Sequence, residues 1–132
     1  MQIITLLAFT FGLAFAQAKT LLDCRVVKVI EKNNPWEEGL STHEYPNVSV
    51  EQNRKGMLSV HVGMALPWSE ENGDEVTIED SADYSDAVSF QKKSDPDRYV
   101  ITVRESKKRR RGELRAIVPG RRAKLIAVLN CK

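Results

Sequence analysis

The chain has 132 residues, 42% of them hydrophobic and 29% charged, with 20 Lys and Arg against 18 Asp and Glu for a formal net charge of +2. That length allows one domain and no more. Two histidines, His43 and His61, and two cysteines leave too few ligands for a zinc site once the cysteines pair.

Residues 1–18 are uncharged and mostly apolar, with a core of LLAFTFGLAFA and small residues at Ala14, Ala16 and Ala18. This is the pattern of a secretory signal peptide, too short and too early for a membrane anchor. A single mature domain is expected over 19–132, exported, monomeric and free of the membrane. Residues 19–31 read as a first strand, rich in β-branched Val26, Val27, Val29 and Ile30, and Asn33, Asn34 and Pro35 stop it. Pro35 with Glu37, Glu38 and Gly39 then predicts one short helical turn over 35–40.

Residues 41–56 read as a polar loop. Within it Asn47, Val48 and Ser49 form a glycosylation sequon, which modification would require to be exposed. Leu58, Val60, Val62, Met64 and Leu66 alternate with small or polar residues, the period-two signature of a strand buried on one face. An acidic insert follows: residues 69–97 hold ten acids against Lys92 and Lys93, with one returning strand over 87–91.

Residues 98–132 reverse the sign, with twelve Lys or Arg against Glu105 and Glu113. Three apolar runs of strand length, punctuated by Gly112, Pro119 and Gly120, predict an antiparallel meander. Two basic turns lie between the strands, Lys107, Lys108, Arg109, Arg110 and Arg111 in one and Arg121 and Arg122 in the other. Opposite charge blocks in one domain point either to two faces with different partners or to an acidic loop folded against the basic turn. In an exported chain Cys24 and Cys131 read as a disulfide tying the two ends together, with free thiols as the alternative.

Several landmarks taken together resemble a known family. Tyr45-Pro46-Asn47, Ala65-Leu66-Pro67, Asp97-Arg98-Tyr99-Val100 and the run from Leu114 to Gly120 follow, in order and spacing, the framework of the small secreted guanyl-specific fungal ribonucleases. The fold this resemblance implies is α+β, an antiparallel twisted β-sheet with one short helix. Such an enzyme needs a carboxylate base, a histidine acid and an arginine at the phosphoryl group. At the matching positions stand Asn47, Ala65 and Gly120, none able to carry a proton, while Arg98 and Tyr45 match the family's phosphate contacts.

The resemblance thus implies a pseudo-ribonuclease with no catalytic residue, no cofactor and a remnant phosphate site at Arg98 and Tyr45. It is similar in this to the ribonuclease-like effectors that powdery mildew fungi deliver into plant cells, which implies host RNA, a host protein or a plant immune receptor as partner. The two basic turns are the candidate RNA contacts, and the scarcity of aromatics near them speaks against base stacking. An active ribonuclease or ribotoxin-like enzyme with displaced groups is the alternative. In that case His61, on the non-core side of its strand, is the residue to test.

Overall fold

The computed structural model describes residues 18–30 and 39–132. The expected signal peptide and most of the expected helical turn over 35–40 lie outside the described residues.

Nine strands follow in order: β1 Lys19–Val29, β2 Asn47–Gln52, β3 Leu58–Val62, β4 Trp68–Ser69, β5 Glu75–Glu79, β6 Asp86–Gln91, β7 Arg98–Ser106, β8 Arg109–Ile117 and β9 Lys124–Cys131. They form one antiparallel sheet in the order β4-β3-β2-β1-β9-β8-β7-β6-β5. Two meanders are therefore joined in the middle of the sheet by its first and last strands.

Every neighbouring pair is antiparallel, and β4 and β5 stand at odd places in a nine-place order, so these two edge strands run in the same direction. No hairpin can connect them. A single 3-10 turn, Glu70–Asn72, carries the chain across, and Gly73 in the left-handed region (φ 89) ends that turn. The two edges are drawn together there, rolling the sheet into a nearly closed barrel.

Asp74 fastens this seam. Its Oδ2 accepts from the Ser69 amide (3.0 Å) and from Lys92 Nζ (3.3 Å), and its Oδ1 accepts from the Lys93 amide (3.1 Å). Burial pushes the Asp74 carboxyl up, but the hydrogen bonds from Ser69, Lys93 and Lys92 and the Lys92 charge outweigh it and hold the group below its ordinary value.

Inside, alternate residues of each strand supply the core, with Val26, Val48, Val50, Val60, Val62, Phe90, Ile101, Val103, Leu114, Ile126 and Leu129 almost fully buried. Beneath the seam Trp68, Phe90 and Tyr99 pack ring on ring, with centroids 4.8 to 5.7 Å apart. Burial, helped by Asp97 and Asp95, pushes the Tyr99 hydroxyl up to about 12.

Cys24 and Cys131 face each other across the β1–β9 pair and are bonded, closing a sequence separation of 107 residues. Gly112 on β8 lies under this bridge. A Cβ there would stand 3.0 Å from Cys131 Sγ and 3.2 Å from Leu129 Cβ, closer than real contacts allow without movement.

The α+β, ribonuclease-like expectation is overturned by this topology. Among the described residues the only helical element is the three-residue turn at the seam, so there is no helix to cover a sheet face, and the sheet covers its own apolar face by rolling up. Two segments expected as loops are strands. In β2, Val48 and Val50 point inward between Asn47, Ser49 and Glu51, and in β5 Val76 does the same between Glu75 and Thr77. The strand expected over 58–66 stops at Val62, because Gly63 takes a positive φ of 53 and its Cβ position falls 1.8 Å from the Gly39 carbonyl oxygen.

Candidate nucleic-acid interface

The basic segment expected as a turn is mostly strand. β7 runs to Ser106 and β8 begins at Arg109, leaving Lys107 and Lys108 as a two-residue hairpin turn. Such turns demand a positive φ, usually supplied by Gly or Asn. Here Lys107 supplies it, with φ 57, and it is the single non-glycine residue with positive φ among those described.

Strand alternation then sorts the arginines. Arg110 has the inward parity of Gly112 and Leu114, and its guanidinium donates to the Asp86 carboxylate and to the Lys132 carbonyl. The acidic block thus does meet the basic hairpin, at this pair. Arg109 and Arg111 have the outward parity and are exposed.

Register extends the outward charge sideways. Arg104 on β7 lies directly opposite Arg111 on β8, Arg111 opposite Asn130 on β9, and Asn130 opposite Arg25 on β1. Three arginines and an asparagine therefore form a row across four strands, about 14 Å long at the usual strand spacing. Directly opposed like charges destabilise a sheet, so the Arg104–Arg111 pair costs stability unless an anion sits on it.

Beside this row runs a groove of about 790 Å³ whose lining includes Lys28, Lys108, Arg109, Arg110, Arg111 and Lys132 against the single carboxylate of Glu105. Lys132 has Asp23 within 3.5 Å and Arg110 has Asp86. Lys28, Lys108, Arg109 and Arg111 have no ion-pair partner among the described residues. On one face of β8, Arg109 and Arg111 are about 6.7 Å apart, a separation that suits successive phosphates of an extended strand.

Arg121 and Arg122 are not part of this groove. Arg121 closes the turn over residues 118–121, in which its N donates to Val118 O and Gly120 takes φ 76, and Arg122 follows it. Pro at the second place and Gly at the third are what a type II turn requires, so Gly120 has a structural reason to be there. The nine residues of β8 separate this turn from Arg109 by about 27 Å.

The five positions matched to the ribonuclease site, Tyr45, Asn47, Ala65, Arg98 and Gly120, are divided. The β2–β3 register brings Tyr45, Asn47 and Ala65 into one neighbourhood, where the Gly63 amide donates to the Asn47 carbonyl. Arg98 stands on the outside of β7, four strands further round, with Glu75 at 3.8 Å, Gln91 opposite on β6 and Ile117 opposite on β8. Gly120 lies beyond Ile117. Asn47 is exposed as a sequon requires, but at the start of a strand and not in a loop.

His61 does have a carboxylate partner, which its place in the sequence did not disclose. Glu51, across the β2–β3 ladder, comes within 3.4 Å of Nε2, and Ser59 Oγ lies 3.2 Å from the same nitrogen. A relay from carboxylate through histidine to hydroxyl needs the two partners on different ring nitrogens. Here both meet one.

One residue near the basic row escaped sequence reasoning. Tyr84, in the connection between β5 and β6, has Arg104 Cζ 4.9 Å from its ring centroid. Twenty positions separate the two in sequence, and only the β6–β7 register brings them together. Among the described residues no helix is long and apolar enough to cross a membrane, and no group of His, Cys, Asp and Glu could hold a metal ion. No family model, curated protein or solved structure matches the chain.

Proposed function

We propose that this chain is a non-catalytic binding protein whose basic groove holds the phosphate backbone of RNA. One observation carries the proposal: Lys28, Lys108, Arg109 and Arg111 converge on a groove with no carboxylate within ion-pair distance of any of them among the described residues. Two local costs point the same way, Lys107 in a turn position better suited to glycine and Arg104 set opposite Arg111. Contacts of this kind recognise phosphate spacing and charge and carry no base sequence.

Export, and action inside a host cell as an effector, are the setting we propose. The apolar residues 1–18 and the Cys24–Cys131 bridge, of a kind that persists in oxidising compartments, support it.

The test is binding of a fluorescent four-nucleotide RNA, too short at about 20 Å to span β8, to the purified chain, with polyglutamate as competitor. RNA binding lost in the Arg109→Glu/Arg111→Glu double variant and kept in Arg121→Glu/Arg122→Glu is the expected result. RNA binding unaffected by the first pair, or polyglutamate displacing RNA at equal charge, overturns the proposal, the latter in favour of an acidic protein partner.

Enzymatic action on RNA is the second reading, favoured by the His61–Glu51 pair alone. Turnover of the same RNA that disappears in His61→Ala would establish it against the non-catalytic one.

A further inference from the structure

The basic row ends at an aromatic ring, and that ending bears on what kind of nucleic acid fits. A shallow groove lined by Asp83, Tyr84, Ser85, Arg104, Glu105 and Ser106 lies beside the main one, and Glu105 borders both. Resting on the proposed RNA contact, we propose that Tyr84 and the Arg104 stacked on it take an unstacked nucleobase, making the ligand single-stranded and not duplex.

Three observations support this. First, the guanidinium of Arg104 lies over the Tyr84 ring at 4.9 Å, so a planar cation and a π-face are already arranged as a platform. An Arg–aromatic pair of this kind stacks bases of any identity, because every base presents a π-face.

Second, the platform is continuous with the phosphate contacts. Arg104 is one strand spacing, about 4.8 Å, from Arg111. A nucleotide whose phosphate rests on Arg111 therefore has its base within reach of Arg104, provided that base is free of a complementary strand. Third, the polar rim suits a base edge. Asp83 can accept from an exocyclic amine, whereas Ser85 Oγ is already donating to the Val103 carbonyl and only fixes the loop.

A duplex would gain nothing here. Its bases are stacked inside the helix, and a lone side chain in the β5–β6 connection cannot enter that stack. Backbone charge alone, in contrast, would bind duplex RNA and polyphosphate as readily as a single strand.

The experiment compares four chains, wild type, Tyr84→Phe, Tyr84→Leu and Tyr84→Ala, against single-stranded RNA, the same sequence as a duplex, and inorganic polyphosphate. Wild type is expected to favour the single strand. Tyr84→Leu and Tyr84→Ala should lose about tenfold or more in single-strand affinity, while duplex and polyphosphate affinities stay put and Tyr84→Phe keeps its binding.

Equal losses on all three ligands, or none on any, overturn the stacking role. Leucine retains bulk in the loop, so a loss common to both variants with unchanged thermal unfolding is not a folding effect. Failure of the underlying contact looks different: no variant matters because no ligand binds in the wild type, or because Arg109→Glu/Arg111→Glu changes nothing.

Discussion

Exchanging the free groove cations should change not only how tightly RNA binds but how that binding responds to salt. Each phosphate neutralised on a single strand contributes about −0.7 to the slope of log affinity against log salt. Among the described residues Lys28, Lys108, Arg109 and Arg111 are the groove cations without a carboxylate partner, whereas Arg110 is held by Asp86 and Lys132 by Asp23. Four contacts give a slope of about −2.8, an affinity loss of about 50-fold between 50 and 200 mM salt. With Arg109 and Arg111 changed to alanine the slope should fall to about −1.4, and the same salt step should cost only about sevenfold. Fluorescence anisotropy titrations of a short labelled RNA at five salt concentrations measure both values. An unaltered slope in the double variant would refute the assignment. So would an equal change on replacing Arg121 and Arg122, since the length of β8 keeps them from a short ligand on the groove.

Four further outcomes concern the scaffold. Lys107→Gly removes a left-handed lysine and should raise stability by about 1 kcal/mol in urea unfolding; a loss of stability would mean the turn is not strained. Gly112→Ala should cost about 1–3 kcal/mol by crowding Cys131 Sγ, and much less in a Cys24→Ser/Cys131→Ser background. Breaking the bridge itself should cost up to about 4 to 5 kcal/mol in the chain-entropy view, measured as the unfolding midpoint with and without reductant.

Asp74 supplies the pH dependence. Its folded pKa is depressed, so its stabilisation is fully present above the ordinary value of 3.8 and disappears as pH falls through the lower folded value. The stability gap between wild type and Asp74→Asn should therefore be widest near neutral pH and shrink in acid. A gap that stays constant would show that the carboxylate charge is not what holds the seam.

Much of the sheet could be read from the chain because apolar residues recur at every second position. β3 has that pattern uninterrupted, β7, β8 and β9 carry their apolar residues in runs of strand length, and the paired cysteines announced which ends meet. β2 and β5 escaped because their outward residues, Asn47, Ser49 and Glu51 in one and Glu75, Thr77 and Glu79 in the other, are those that also fill loops. Two inward valines in β2 and one in β5 are a weak signal against that composition.

The candidate site was legible as charge and not as geometry. Composition located the basic segment, but only strand parity separates Arg110, turned toward Asp86, from Arg109 and Arg111. The α+β fold that the ribonuclease resemblance implied failed on the same ground. Short collinear motifs such as Asp97-Arg98-Tyr99-Val100 fix a few strand starts, and strand starts are compatible with many sheets. Tyr84 had no sequence signal at all, since its contact with Arg104 depends on a register formed twenty residues later.

The placement of β1 beside β9 bears on how the molecule assembles. Every other ladder in the sheet joins strands that are consecutive in the chain, so each can zip from its own turn with little loop to close. The β1–β9 pair instead gathers partners 107 residues apart at its cysteines, and it is the step with the large closure entropy. By that entropy the central ladder is expected to form after the local ones. Once the two cysteines are joined, however, re-forming this ladder is a short-range step like the others.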